Sequence, residues 1–351
     1  MSMDTIPQKA NTDKDNLEVV VGTGEVLVDV NSRGKDRNWG LKKTKNVKMS
    51  EILALANKIQ EKDTGAPLLS ESVTQRFDDC GSWLLFNHYE DNTKTLDKAN
   101  FCKHRLCPMC NWRKSIKLFG QTSEIVAAIL ADKKARFLFV TFTIENVKGD
   151  KLPDALNKMN EAFKWLFQKS KTYAPAERLK KNVMGYMKAV EITYNPVRDD
   201  YHPHIHCIVE VKPSYFDKGY LTHEDWRNLW KGAMHMDYEP MVNVKTIKNE
   251  NGGVDAGAVA EVAKYPVKVD GLLTIEDIDK AAGAAVTLCT VSKNRRFVTF
   301  GGDFRTYAKK LKLDDVNDGD LVHVETDEAQ KNGAVYQTLW TYNARFGVYI
   351  N

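Results

Sequence analysis

The chain has 351 residues, and 42% of them are hydrophobic, which is enough for two or three domains or for one large core with additions. Its 51 basic and 47 acidic residues leave a formal net charge of +4, too small to indicate a polyanionic partner without a local basic patch. No apolar run reaches the length of about 18 residues typical of a membrane span, and the polar start lacks a signal-peptide core. We therefore expect a cytoplasmic protein without a membrane partner, whose six cysteines are thiols or metal ligands rather than disulfides.

The N-terminal part of the chain is predicted to combine a flexible start with a basic segment. Residues 1–16 have a disordered composition, and residues 17–30 suggest a short hairpin around two glycines. Residues 31–48 place many basic side chains around one tryptophan, which suits phosphate contact and base stacking, although a solvated charge run is the alternative. Ser50 is predicted to cap a helix over residues 51–62. The candidate DNA-contacting residues here are Arg33, Lys35, Arg37 and Trp39.

Four cysteines form the next motif. Cys107 and Cys110 form a Cys-x-x-Cys turn that can bind one tetrahedral Zn²⁺, and Cys102 and Cys80 would complete a closed structural site. Cys80 lies 22 residues before Cys102, so His104 is an alternative fourth ligand. A redox pair or unrelated buried thiols would be the non-metal interpretation. Basic neighbours indicate a nucleic-acid-binding module: Arg105, Arg113 and Lys114.

Helices and strands are interspersed through the rest of the chain. Apolar spacing predicts a helix over residues 112–130, and a β-rich run predicts a buried strand over 137–144. Residues 185–193 and 204–211 are predicted to be two strands joined by a loop, and residues 222–234 a helix with a capping box. Loops of hairpin length favour an antiparallel sheet in an α+β fold. Further predicted elements are helices at 154–170 and 254–265 and a strand at 241–248.

Three histidines alternate with other residues at the start of the 204–211 strand. His204 and His206 share one face, as does His202 if the strand begins early, and the intervening residues point into a core. Antiparallel pairing with the 185–193 strand would place Glu191 beside them. Two imidazoles and one carboxylate, with open positions on the ion, suit Mg²⁺ or Mn²⁺ acting on a phosphate. A histidine-triad nucleotide hydrolase and a non-enzymatic zinc-dependent DNA-binding regulator are the alternatives.

A later segment, AEVAKYPVK, contains Glu261, Tyr265 and Lys268 at helical offsets of four and three. A free tyrosine has a pKa of about 10, so a metal-activated phosphate and a nearby lysine would be needed to make it a nucleophile. Spacing alone favours an ordinary surface cluster. Pro266 also disfavours helical backbone at Tyr265.

Together and in this order, these motifs resemble the replication initiator (Rep) proteins of rolling-circle plasmids of Gram-positive bacteria, in the HUH endonuclease superfamily. Residues 204–206 match the His-hydrophobe-His motif, and residues 137–143 resemble the upstream strand motif. Residues 261–268 match the Glu-x-x-x-Tyr-x-x-Lys segment, and residues 101–115 resemble the cysteine-rich segment. The resemblance runs from about residue 27 to the C-terminus.

The resemblance implies a central antiparallel sheet flanked by helices, with the two histidines at its centre. It implies that the protein nicks one strand at the plasmid double-strand origin, that Tyr265 becomes joined to the 5′-phosphate, and that the freed 3′-OH primes synthesis. Plasmid origin DNA, a host helicase and a DNA polymerase are the implied partners, in the bacterial cytoplasm. We further predict that Glu261, one helical turn before Tyr265, activates water for the closing cleavage.

The predicted organisation has four consecutive segments. They are a flexible N-terminal segment (1–30), a basic and Cys-rich zinc-binding and DNA-binding region (31–130), an HUH endonuclease catalytic domain (131–275) and a C-terminal α/β extension (276–351).

Overall fold

The structure, a computed structural model, describes residues 17–31, 34–169, 174–247, 249–250, 253–254, 256–263, 269–316, 318–324 and 333–351. The chain divides into two compact units. The first contains Met1–Glu51, Leu69–Lys114 and Val316–Asn351, and the second contains Ile52–Leu68 and Ser115–Asp315. This division differs from the four predicted segments, because residues 276–351 are shared between the two units.

The helices alternate with strands along the chain. In chain order they are α1 (Trp39–Thr64), α2 (Glu71–Asp78), α3 (Pro108–Asp132), α4 (Leu152–Lys164), α5 (Ala174–Asn182), α6 (His223–Met234), α7 (Ala256–Val262), α8 (Asp270–Leu273), α9 (Ile278–Ser292) and α10 (Asp303–Lys310). A π-helical turn, Trp165–Lys169, follows α4, and a 3₁₀ turn, Pro213–Phe216, precedes α6. The predicted capping box of α6 is confirmed, because Thr222 and Asp225 exchange side-chain-to-backbone hydrogen bonds.

Within the described residues, the strands form two five-stranded sheets and one short pair. In chain order they are β1 (Val19–Val20), β2 (Trp83–His88), β3 (Lys94–Ala99), β4 (Arg136–Thr143), β5 (Val183–Asn195), β6 (Asp200–Val211), β7 (Val242–Ile247), β8 (Asn249–Glu250), β9 (Gly253–Val254), β10 (Val298–Gly302), β11 (Tyr336–Asn343) and β12 (Val348–Ile350). The pair is β8 with β9.

The sheet of the first unit has the order β1-β11-β2-β3, with β12 also paired to β11. The hairpin predicted for residues 17–30 is wrong. Instead, β1 runs parallel to β11, and the Leu27 amide donates to the Tyr349 carbonyl. Backbone groups of residues 17–30 therefore form hydrogen bonds with the C-terminal strands. In a local hairpin, they would have formed these bonds with one another.

Helix α1 begins at Trp39, well before the N-terminal cap predicted at Ser50. Its buried positions in the first unit recur at helical spacing, at Trp39, Lys43, Asn46 and Met49. Two of these four residues are polar, so the apolar periodicity that marks a helix is interrupted. The basic stretch at residues 31–48 is therefore partly helical from Trp39 onward, and one face of that helix is buried.

The second unit is built on a fully antiparallel sheet with the order β10-β5-β6-β4-β7. Helices α4, α6, α7, α8 and α10 contact its strands. The α+β class and the antiparallel sheet flanked by helices are therefore confirmed. The histidine-bearing strand β6 lies at the centre of the sheet. Among the described residues, no helix is both long and apolar enough to cross a membrane.

Candidate metal centres

The hairpin of β5 and β6 positions the predicted histidine site. Its turn occupies residues 196–199, where the Asn195 side chain accepts hydrogen bonds from the amides of Val197 and Arg198. Asp199 adopts a left-handed conformation with φ of 51° before β6 begins. The resulting register pairs Glu191 directly with His204. Because directly opposed residues share a face of the sheet, the carboxylate and the imidazole are neighbours.

Three ligand atoms converge on this face. Glu191 Oε2 lies 3.4 Å from His204 Nε2 and 3.3 Å from His206 Nε2, and all three atoms lie within 4.8 Å of one another. Glu191 is only 1% exposed, and both histidines are buried. The predicted grouping of His204, His206 and Glu191 is therefore present in the fold.

The spacing of these atoms fits a divalent ion. An octahedral Mg²⁺ with ligands at about 2.1 Å separates neighbouring ligand atoms by about 3 Å, close to the distances found here. The second nitrogen of each ring is turned away from the carboxylate. His204 Nδ1 lies 3.3 Å from the His202 carbonyl oxygen, and His206 Nδ1 lies 3.1 Å from the Thr141 hydroxyl. Both Nε2 atoms are thereby left to act as ligands.

The opposite face of the same two strands carries side chains that pack against other residues and are not candidate metal ligands. Lys188 on β5 pairs in register with Cys207 on β6, and its ammonium group donates to Asn160 Oδ1 at 2.8 Å. Burial lowers the pKa of Lys188 to about 8. Tyr194 and Tyr201, which also alternate with the site residues, pack ring against ring at 5.0 Å on this face. Burial raises the pKa of Tyr201 to about 12 and also raises the pKa of Tyr194.

The predicted nucleophile segment is described only in part. Helix α7, which contacts β6, carries the partly exposed Glu261 near its C-terminal end. Tyr265 and Lys268 lie outside the described residues.

The four cysteines of the first unit also converge. Sγ of Cys80 lies 3.5 Å from Sγ of both Cys107 and Cys110, and Sγ of Cys102 lies 3.7 Å from Sγ of Cys110. A tetrahedral Zn²⁺ with Zn–S bonds of about 2.3 Å would separate the sulfurs by about 3.8 Å. All four are free thiols, and they form one of the two groups of potential metal ligands found among the described residues. The cluster therefore fits a closed metal site.

Backbone and side-chain donors surround the sulfurs. Amides donate to the sulfurs of Cys80, Cys102, Cys107 and Cys110 at 3.1 to 3.5 Å, and the Asn46 side chain donates to Cys107 Sγ at 3.5 Å. Hydrogen bonding from the neighbouring thiols lowers the pKa of the Cys102 thiol. Burial raises the pKa of the Cys107 and Cys110 thiols and opposes their ionisation, whereas the amide donors stabilise the thiolate form that binds metal.

His104 is placed outside the cluster. Its Nδ1 accepts a hydrogen bond from the Leu106 amide at 3.2 Å, and its ring packs edge-on against Phe77. Burial lowers the pKa of His104 to about 4. The geometry therefore favours Cys80 over His104 as the fourth ligand.

Four of the seven predicted DNA-contacting side chains are buried instead. Arg37 and Trp39 both donate to the carboxylate of Asp29, at 2.9 and 2.6 Å. Arg113, fully buried, donates to the carbonyls of Leu321 and Val322. The buried Lys114 ammonium donates to the Lys103 carbonyl. These four residues stabilise the first unit, and Trp39 has no free face for base stacking because it packs against Phe101 and Trp112.

The remaining candidates are accessible or undescribed. Lys35 is exposed and Arg105 is partly exposed, while Arg33 lies outside the described residues. Sequence reasoning also missed two residues beside the cysteines, Lys43 and Asn46. Lys43 donates to Asn46 Oδ1 at 2.9 Å, and Asn46 in turn donates to Cys107. Their helical spacing with Trp39 was the available indication.

The fold and its two centres define a class: an α+β protein with a four-thiol cluster in one unit and a carboxylate–imidazole site on the antiparallel sheet of the other. Residues 93–350 match the Replication protein family, Rep_1. The chain belongs to this family, which confirms the resemblance to plasmid Rep proteins that the motifs predicted.

Individual relatives agree with this membership. The chain is 36% identical over 321 residues to "Protein rep" of Streptococcus pneumoniae serotype 2 (strain D39 / NCTC 7466), a match that covers 90% of this chain and 93% of the relative. It is 34% identical over 334 residues to "Protein rep" of Bacillus amyloliquefaciens, covering 88% and 92%. It is 34% identical over 232 residues to a "Replication protein" of Staphylococcus aureus, covering 64% and 95%. No solved structure gave a significant match.

Proposed function

We propose that this protein initiates rolling-circle replication by nicking one strand of plasmid origin DNA with a tyrosine nucleophile. One observation supports the proposal above all others. Glu191 Oε2 and the Nε2 atoms of His204 and His206 converge within 4.8 Å at the centre of an antiparallel sheet, in a chain of the replication protein family. Such a site suits phosphate chemistry on a DNA strand.

In this proposal, Glu191, His204 and His206 would hold Mn²⁺ or Mg²⁺, which would supply Lewis-acid polarisation of a phosphate. Three protein ligands are fewer than such an ion usually takes, so substrate oxygens and water could also bind it. The geometry favours a metal site over a histidine nucleophile of the histidine-triad kind, because both Nε2 atoms point at the carboxylate rather than into open space.

Tyr265 is the proposed nucleophile. Its phenolate oxygen would attack the phosphorus, a tyrosine–phosphate bond would form at the 5′ side, and the bond to the 3′ oxygen would break. The leaving oxygen would take up a proton and become the 3′-OH that primes synthesis. The orientation of other tyrosines supports this assignment, since Tyr194 and Tyr201 lie on the sheet face opposite the metal ligands. Lys268 would favour the phenolate form of Tyr265 through its positive charge.

Glu261 is proposed to end the reaction. As a general base it would take a proton from water, and the resulting hydroxide would attack the phosphate of the regenerated nick site and break its bond to the 3′ oxygen in the closing cleavage. The contact between α7 and β6 is consistent with this role, because β6 also carries His204 and His206. The 3′-OH freed by this cleavage would attack the phosphotyrosine, which would join the strand ends and release Tyr265.

The first unit is proposed to hold one structural Zn²⁺ through Cys80, Cys102, Cys107 and Cys110. Lys35 and Arg105 remain candidates for contact with origin DNA because they are accessible, and Arg33 remains a candidate from the sequence. In the bacterial cytoplasm, a host helicase would separate the strands and a DNA polymerase would extend the primed strand.

A covalent-adduct assay tests the proposed function. Purified protein is incubated with a single-stranded origin oligonucleotide labelled 3′ of the nick site, with Mn²⁺ or with EDTA, and resolved on a denaturing gel. We expect a labelled protein–DNA band with Mn²⁺ and none with EDTA. Origin binding without any cleavage would instead support the non-enzymatic DNA-binding regulator.

A further inference from the structure

The hydroxyl of Thr141 lies 3.1 Å from Nδ1 of His206. We propose that Thr141 is a positioning residue, which orients the His206 imidazole so that its Nε2 points at the metal ligand Glu191. This inference rests on the metal site proposed above. It gives a role to a residue of β4 that donates no ligand itself.

The sheet register explains why Thr141 can do this. Thr141 on β4 is directly opposite His206 on β6, so the two side chains share a face. On its other side, His206 Nε2 lies 3.3 Å from Glu191 Oε2 of β5. The ring is therefore held between neighbours on both adjacent strands. The Phe139 ring also stacks on it, with centroids 5.7 Å apart and planes 17° apart.

The hydrogen bond selects one of two ring orientations. A half-turn of the imidazole about its bond to the Cβ atom exchanges Nδ1 with a carbon and Nε2 with a carbon. That flipped ring fills the same volume and stacks on Phe139 equally well, but it presents carbon to both Thr141 and Glu191. The contacts with Thr141 and Glu191 therefore both favour the observed orientation, and Thr141 is the partner that stays available to His206 when Glu191 binds a metal.

His204 shows the same arrangement with a different partner. Its Nδ1 lies 3.3 Å from the main-chain carbonyl oxygen of His202. Because a carbonyl only accepts hydrogen bonds, Nδ1 donates the proton and Nε2 keeps its lone pair for a metal. The backbone supplies this contact, so no substitution deletes it. For His206 the corresponding partner is a side chain, and a single substitution removes it.

Thr143 provides a matched control on the same strand. It is directly opposite His204 and on the same face as Thr141. However, its hydroxyl donates to the Met241 carbonyl oxygen at 2.7 Å rather than to an imidazole. Replacing it with valine therefore makes the same chemical change, two residues away, without deleting a contact to a metal ligand.

The test measures Mn²⁺ affinity in the absence of DNA, by isothermal titration calorimetry on the full-length, zinc-loaded protein. The variants are Thr141→Val, Thr141→Ala, Thr141→Ser and Thr143→Val, and His206→Ala defines the background. Loss of an outer contact to a metal-binding histidine typically weakens metal affinity by about 10–100-fold, and we expect this for both Thr141→Val and Thr141→Ala. Thr141→Ser, which keeps the hydroxyl, should restore most of the affinity, and Thr143→Val should match the wild type.

The outcomes separate two failures. Wild-type protein that binds no more Mn²⁺ than His206→Ala would refute the proposed metal site itself. Wild-type binding with unchanged affinity in the folded Thr141 variants would leave that site intact and overturn the positioning role. An equal loss in Thr143→Val would also overturn it, since the effect would then come from the strand rather than from the hydrogen bond. Both Thr141→Val and Thr141→Ala remove the hydroxyl, so if one variant misfolds, the other still tests the positioning role.

Discussion

Glu191 and His204 are direct cross-strand partners, and Oε2 of the glutamate lies 3.4 Å from Nε2 of the histidine. One hairpin register is therefore enough to bring an acid and an imidazole together on one face. A slip of one residue would send Glu191 to the opposite face, among the tyrosines. The turn at residues 196–199, which sets this register, is thus as important for the site as the ligands themselves.

We expect His206→Ala to abolish nicking of an origin oligonucleotide in Mn²⁺, because it removes one of three converging ligand atoms. Zinc content should stay unchanged, since the cysteine cluster belongs to the other unit. Origin affinity should fall little, because phosphate contacts spread over the surface dominate DNA binding. Nicking assays, metal analysis and a DNA-binding titration on one preparation measure all three.

His202→Ala is the matched control for this experiment. The His202 side chain is not among the converging ligands, although its ring lies 5.2 Å from the His204 ring between centroids, and the main-chain carbonyl that contacts His204 Nδ1 remains in the variant. This variant should keep most of the nicking activity. Full activity of His206→Ala, or of the wild type in excess EDTA, is incompatible with the metal site.

The geometry of the cysteine cluster predicts that Cys80→Ser and His104→Ala differ in how much zinc they retain. Purified wild-type protein should hold about one zinc per chain, as a four-cysteine site does. Cys80→Ser should lose it and unfold at a lower temperature, because Cys80 Sγ lies 3.5 Å from two of the other sulfurs. His104→Ala should retain it, because His104 Nδ1 is engaged by the Leu106 amide. Retention by Cys80→Ser together with loss in His104→Ala would reverse the assignment.

The histidine site could be predicted from the sequence because its determinants are local. A strand alternates faces every residue, so His204 and His206 had to point the same way, and a short turn had to bring Glu191 back beside them. The α+β class and most strands of the second unit followed from similar short-range patterns. Thr141 lies in the strand motif at residues 137–143, but its contact with His206 depends on the β4–β6 register, which no local pattern specifies.

The first unit was harder to predict because its contacts are long-range. Lys43 and Asn46 are buried beside the cysteines, so α1 lacks the apolar stripe that would have marked its true start. Arg113 looked like a DNA contact, but carbonyls more than 200 residues later accept its hydrogen bonds, as the separations of 208 and 209 show. Charge in the sequence indicates a phosphate partner only where the fold leaves it exposed.

Tyr265→Phe should bind origin DNA normally but form no covalent adduct, because the variant lacks the attacking oxygen. Tyr194→Phe and Tyr201→Phe are the matched controls. Both tyrosines lie on the opposite sheet face, and burial raises the pKa of each, which disfavours the phenolate. Peptide mapping of the DNA-linked residue identifies the nucleophile directly. A DNA-linked peptide containing any other tyrosine would refute the assignment to Tyr265.

Lys188 predicts a pH dependence of stability. Burial lowers its pKa to about 8 in the folded state, from the ordinary value of 10.5. Between these two values the unfolded chain binds more protons than the folded chain, so the free energy of unfolding rises with pH in this window. At pH values below this window, the protonated Lys188 ammonium destabilises the fold by about 3 kcal/mol at most, since each pKa unit corresponds to about 1.4 kcal/mol.

Lys188→Met should therefore be more stable than the wild type at pH 7, and the difference should shrink as the pH rises through the window. Denaturant titrations at several pH values measure it. Lys158→Met, at an exposed position of α4, is the control and should show no such trend. A stability difference that is independent of pH would show that packing against Asn160 and Phe163, rather than the charge, determines the effect.

Glu261 is expected to act in the closing reaction and not in the first nick. It lies on α7, four residues before Tyr265, and α7 contacts the strand that carries His204 and His206. A second tyrosine is not available in residues 256–268, so another group must resolve the covalent intermediate after one round of replication. A carboxylate can do this by activating water, and hydrolysis would also prevent the protein from starting a second round.

The measurement separates initiation from termination. Glu261→Ala is given an origin oligonucleotide for nicking, and a second substrate that scores release of the strand from the covalent intermediate. Normal nicking with release slowed by about 10²–10⁴-fold, the usual contribution of a general base, is the expected result. Glu261→Gln keeps the size and hydrogen bonding of the side chain but not its basicity, so it should show the same selective defect. Rescue of release by the glutamine variant would assign Glu261 a structural role, and equal loss of both steps would exclude a role confined to closure.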